Sequence, residues 1–130
     1  MIDKLAWVVV QNRRFLATRS YGKSQFYLPG GKRESGETDQ QALIREIQEE
    51  LSVSLNPESL IPAKVFRAQA DGKPLGVEVQ LTCYWGETTG TALASAEIEE
   101  LAWLNSQDKS RCSVAALKVL DWLVQRGLID

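Results

Sequence analysis

Three glutamates close together are the first feature of this chain with chemistry in it. Glu46, Glu49 and Glu50 are spaced three and four positions apart, which brings side chains together on one flank of a helix, opposite Leu43, Ile44, Ile47 and Leu51. In an isolated helix each like-charged pair at such spacing costs about 0.2–0.5 kcal/mol. A divalent cation would turn that repulsion into ligation; Mg²⁺ in particular takes a few carboxylates together with waters and substrate phosphates. Arg45 lies one turn before Glu49 and can reach it. The competing interpretation of such a face is plain solvated surface.

Composition narrows the chemistry further. None of the 130 residues is histidine, which removes Ser-His-Asp and Cys-His catalysis, His-ligated zinc and imidazole acid–base chemistry. Carboxylates must then carry any catalysis, as ligands of a hard cation or as a glycosidase-like pair. Fifteen Lys and Arg against 17 Asp and Glu leave a net charge of −2, without the basic excess that tracking a nucleic acid polymer requires. Cys83 and Cys112 are too few for a disulfide framework and form no metal-type pair, which suggests a reducing compartment. The apolar run from Leu5 to Val10 is too short for a signal-peptide core or a membrane span. With 44% apolar and 25% charged residues, the expectation is one domain over 1–130, cytoplasmic and without a membrane partner.

The glutamates need elements to hold them. Leu5–Gln11 reads as a buried strand, Asn12-Arg13-Arg14 as a turn and Phe15–Ser20 as the returning strand of a hairpin. Tyr21–Arg33 is loop-like, punctuated by Gly22 and Pro29-Gly30-Gly31. A helix is predicted over about Thr38–Leu51, because Thr38 and Gln41 have capping-box spacing and Asp39 favours the positive end of the helix dipole. Asn56-Pro57 and Pro62 break the chain. Ala63–Gln69 and Gly76–Trp85 read as strands joined by the turn Asp71-Gly72-Lys73-Pro74, and Glu100–Leu104 as a short apolar stretch. A last helix over about Ser113–Arg126 carries a wide apolar stripe and ends at Gly127. Strands on either side of one helix, then a closing helix, imply an α+β architecture with a mixed sheet between helical layers.

Upstream residues fix the glutamates in a longer register. Gly31, Glu37, Arg45-Glu46 and Glu49-Glu50 stand as G, five residues, E, seven residues, R-E-U-x-E-E-x-G-U, where U is a bulky aliphatic residue. Over Gly31–Val53 the chain reads GKRESGETDQQALIREIQEELSV, with Ile47 and Val53 in aliphatic positions. This closely resembles the signature of the Nudix hydrolases, the MutT-like family. One position departs, Ser52 in place of the second glycine. A residue just past a helix end commonly adopts a left-handed conformation, and serine there costs up to about 1 kcal/mol.

The resemblance implies the Nudix α/β/α sandwich and hydrolysis of a diphosphate by metal-activated water. It implies that Glu46, Glu49 and Glu50 are ligands of Mg²⁺, or of Mn²⁺, with one of them as the alternative general base. Arg45 corresponds to the arginine that holds a signature glutamate, Glu37 to a supporting carboxylate, and Gly31 to the glycine whose carbonyl joins the metal shell. A further ligand often comes from the loop before the late Trp-containing strand; Glu97 is the candidate, with Glu99 and Glu100 as competitors. Arg19 and Lys23 could meet substrate phosphates, and Trp7, Phe26, Tyr27, Trp85 and Trp103 include possible stacking partners for a base. The expected partner is a small nucleotide: first a nucleoside triphosphate, oxidised or not, then a nucleotide sugar or ADP-ribose. A nucleotide-binding sensor with little or no turnover is the alternative. A homodimer is common among such relatives, although nothing in the sequence requires one.

Overall fold

Leu5-Ala6-Trp7-Val8 is apolar at every position because both faces of its strand are covered, and all four residues are buried. Alternate side chains leave a strand on opposite faces. Leu5 and Trp7 pack with Leu43, Ile47 and Leu51 of the first helix, whereas Ala6 and Val8 pack with Val119, Leu120 and Leu123 of the last. Phe15-Leu16-Ala17 divides in the same way, Leu16 towards the first helix and Phe15 and Ala17 towards the last. Two helices therefore sandwich a β layer.

In the computed structural model, which describes residues 1–130, the strands are β1 (Ile2–Val8), β2 (Val10–Gln11), β3 (Arg14–Ser20), β4 (Gly30–Gly31), β5 (Ser54–Leu55), β6 (Ile61–Gln69), β7 (Glu78–Trp85), β8 (Thr88–Thr89) and β9 (Ile98–Leu104). The helices are α1 (Asp39–Leu51) and α2 (Val114–Gln125). One sheet has the order β4-β1-β7-β6 and is mixed: β1 and β7 run parallel, and the other pairs are antiparallel. A second sheet, β2-β3-β9, is antiparallel, and β5 pairs with β8. The α+β class and the α/β/α sandwich are as expected. No helix is long and apolar enough to cross a membrane. Cys83 and Cys112 are free and buried.

Two local expectations are corrected. The hairpin is real only for β2 and β3, which pair at Val10–Phe15 and Gln11–Arg14 around Asn12 and Arg13, with φ of 52° and 59°. The long partner of β3 is β9, and that of β1 is β7. A chain break at Pro62 does not occur. Pro62 lies within β6, where the pairing register with β7 shifts between Pro62 and Lys64. β6 is an edge strand, and an edge strand at a bulge tolerates a residue without an N–H.

Candidate active site

α1 begins where its cap requires. The Thr38 hydroxyl accepts from the Gln41 N–H at 3.2 Å, and the Gln41 side chain accepts from the Thr38 N–H at 3.0 Å. Ala42, Leu43, Ile47 and Leu51 anchor the helix in the core. Glu50 stands seven residues after Leu43, two full turns on, and so belongs to the buried side. It is only 6% exposed. The three glutamates thus do not share one solvent flank: Glu50 faces inward, Glu46 is half-buried and Glu49 is exposed.

Two glycines bring the backbone up to these carboxylates. β4 pairs with β1 at Leu5–Gly31 and Ala6–Gly30. The Gly30 N–H donates to Glu50 Oε1 at 2.9 Å. Gly30 has φ +144°, and a Cβ there would lie 2.0 Å from the Leu5 carbonyl oxygen. A Cβ on Gly31 would lie 2.5–2.8 Å from the Glu46 carboxylate. Gly30 therefore secures the strand and Glu50, while Gly31 makes room for Glu46. The Pro29-Gly30-Gly31 run carries the signal for both, but only Gly31 falls on a position of the signature.

Arg45 ties the cluster together. Its Nε and Nη2 donate to the two oxygens of Glu37 at 2.8 and 2.9 Å, a bidentate pair. Nη1 donates to Glu46 at 3.0 Å and, more weakly, to Glu49 at 3.4 Å, and Nη2 also reaches the Lys32 carbonyl at 3.1 Å. Hydrogen bonding to Arg45, with the Glu34 N–H adding to it, holds the Glu37 carboxyl down at about 2. Glu37 lies outside the cleft and buttresses Arg45.

Glu46, Glu50 and Glu97 line one cleft of about 530 Å³ together with Gly30 and Gly31. Burial pushes the Glu50 carboxyl up to about 8 against the pull of the Gly30 N–H, and the nearby Glu97 and Glu46 carboxylates add to the rise. Glu46 is raised as well, chiefly by burial, with Arg45 opposing. Glu99 and Glu100 instead pair with Arg19, at 2.7 and 3.2 Å. Of the three late carboxylates, Glu97 alone enters the cleft, and Arg19 and Glu49 are not among its lining residues.

Lys23 does line the cleft, and with it come Lys4 and Lys32. Burial and the charges of Lys32 and Lys23 lower the Lys4 ammonium, while Glu50 and Glu46 oppose them. Lys4 is not among the residues expected in the site; its only signal in the sequence is a lone cation beside the apolar run of β1. Of the aromatic candidates, only Tyr27 reaches the cleft, where its hydroxyl is hydrogen-bonded to Asp71. Trp7 and Phe26 are buried, the former donating its indole N–H to the Gly86 carbonyl. Trp85 packs against Trp122, and Trp103 lies on a separate groove.

As the side chains stand, no three acidic groups form a ready cation cage. The donor set nevertheless suits a hard divalent cation: Glu46 and Glu50 have raised carboxyls beside Glu97, and the missing Cβ of Gly31 leaves the space in front of Glu46 open to the backbone.

Residues 3–123 match the NUDIX domain model. The chain belongs to the NUDIX family. This NUDIX domain is a hydrolase, and solved structures share its fold. The E. coli ORF135 protein is 22% identical with a TM-score of 0.74, over 97% of this chain and 91% of that one. A MutT NUDIX hydrolase from Burkholderia pseudomallei is 20% identical with a TM-score of 0.69, over 92% and 94%. A bifunctional NMN adenylyltransferase/ADP ribose pyrophosphatase from Francisella tularensis, complexed with AMP and a Mn ion, is 21% identical with a TM-score of 0.69, over 96% of this chain and 41% of that one. Among curated proteins, none matches the sequence.

Proposed function

We propose that residues 1–130 form one catalytic domain, a cytoplasmic Mg²⁺-dependent pyrophosphohydrolase that also accepts Mn²⁺. It cleaves a nucleoside diphosphate linked to another moiety. The first choice of substrate is a nucleoside triphosphate, oxidised or not, and the second is a nucleotide sugar or ADP-ribose. One observation carries the proposal: Glu46, Glu50 and Glu97 converge beside Gly31 in a cleft that Lys4, Lys23 and Lys32 also line.

Glu46 and Glu50, with the Gly31 carbonyl and Glu97, would hold the ion, and Glu49 would join them only on releasing Arg45. When bound, a divalent cation neutralises phosphate charge and lowers the pKa of its water. The protein supplies the rest. A carboxylate oxygen of the set accepts the proton of the attacking water, within hydrogen-bond reach. Lys4, Lys23 and Lys32, none of which has a carboxylate within ion-pair distance, bind the phosphate oxygens. Arg45, locked by Glu37, keeps Glu46 oriented. Arg19 would meet a phosphate only on releasing Glu99 and Glu100.

A panel of nucleoside triphosphates, their oxidised forms, nucleotide sugars and ADP-ribose, assayed with Mg²⁺ for phosphate products, tests the proposal. The largest kcat/KM is expected for a triphosphate. A largest value for a nucleotide sugar or ADP-ribose would move the assignment to the second choice. Tight binding without turnover would favour the sensor, and neither binding nor turnover across the panel would contradict the proposal.

A further inference from the structure

The one departure from the family signature has a partner. Ser52 closes α1 with φ 56° and ψ 32°, a left-handed conformation that glycine adopts freely and serine adopts under strain. Its Oγ lies 2.7 Å from the Oγ of Ser95. Ser95 belongs to the segment between β8 and β9, which is laid along the end of α1. The Leu93 N–H donates to the Leu51 carbonyl and the Ser95 N–H to the Glu50 carbonyl, both at 2.9 Å. Ala96 then takes φ 53°, turning the chain so that Glu97 follows. The Glu97 carbonyl accepts from the Tyr21 N–H at 2.9 Å, and Glu97 lines the cleft together with Glu46 and Glu50.

We infer that the Ser52–Ser95 hydroxyl pair is a clasp that positions Glu97 against Glu46 and Glu50. Ser52 and Ser95 are positioning residues and touch neither ion nor substrate. The two backbone bonds set the segment's register on the helix end, and the hydroxyl pair holds it against that end only two residues before Glu97. This explains why a strained serine stands where glycine would be free of strain: the hydroxyl contributes something a glycine lacks. The inference rests on the cleft being a divalent-cation site.

Mn²⁺ binding, followed as loss of the free-ion electron paramagnetic resonance signal, tests the clasp without reference to turnover. Ser52→Gly relieves the left-handed strain and is expected to leave Tm no lower than wild type, yet to weaken Mn²⁺ binding about three- to tenfold, at or below the range for removing an outer-shell partner. Ser95→Ala should weaken it equally, the double variant no further than either single change, and Ser95→Thr should restore it. A purely structural role would move Tm and leave the affinity unchanged. Wild-type Mn²⁺ affinity in Ser52→Gly and Ser95→Ala would overturn the clasp alone. Failure of the wild-type protein to bind Mn²⁺ would overturn the cation site and the clasp together.

Discussion

Glu50 is where burial and charge compete most sharply. Its carboxyl stands at about 8 against an ordinary 4.5, so between those values the native state keeps a proton that the unfolded chain has released. The stability tied to neutral Glu50 is complete below about pH 4.5 and is lost as pH rises through about 8. Glu50→Gln keeps an acceptor for the Gly30 N–H and cannot ionise. In metal-free protein its Tm is expected to match wild type near pH 5 and exceed it by several degrees at pH 9, on the order of a few kcal/mol. Identical pH profiles in thermal melts would refute this. A second residue-scale contrast separates the two glycines. Gly31→Ala should fold normally but displace the Glu46 carboxylate, which a Cβ would approach to 2.5 Å, and weaken Mn²⁺ binding by about tenfold or more. Gly30→Ala sets a Cβ 2.0 Å from the Leu5 carbonyl oxygen and should lose more than about 2 kcal/mol of stability. Circular dichroism melts beside an ion titration distinguish the two outcomes.

At the scale of elements, α1 was the most legible part of the chain. Its cap is local: Thr38, Asp39 and Gln41 specify the first turn among themselves, and the helix runs Asp39–Leu51 as the spacing predicts. Thr38→Ala should cost about 1 kcal/mol in denaturant melts, with kcat/KM held within about twofold. A collapse of activity at unchanged stability would mean that the cap shapes the site directly. The orientation of Glu50 is ambiguous in the sequence for an equally local reason. Spacing to Glu46 placed it with the other acids, whereas spacing to Leu43 places it with the core, and only burial decides between the two. Strand pairing was not legible in the same way. Val10–Phe15 gives a hairpin of two pairs, but the pairing of Ile2–Val8 with Val79–Trp85 joins segments more than 70 residues apart, and nothing local in either strand encodes it.

Across the whole molecule, the site depends on contacts that sequence order conceals. β1 supplies Lys4 to the cleft and, through Leu5 and Ala6, the edge on which Gly30 and Gly31 are seated. α1 supplies Glu46 and Glu50, and the approach to β9 supplies Glu97. The signature residues were legible because they lie within one register of 23 positions, Gly31 to Val53. Lys4 and Gly30 were not, because their roles follow from a sheet edge. The choice of Glu97 over Glu99 and Glu100 follows from Arg19, which engages the latter two across β3 and β9. These pieces meet in one activity. The most direct test is the rate of nucleoside triphosphate hydrolysis as Mg²⁺ is titrated into wild-type protein, Glu46→Gln and Glu50→Gln. Saturating dependence on Mg²⁺ in the wild type, silence under chelation and a loss of about 100-fold or more in both variants are predicted. Hydrolysis that persists under chelation, or that survives both substitutions, would contradict the assignment.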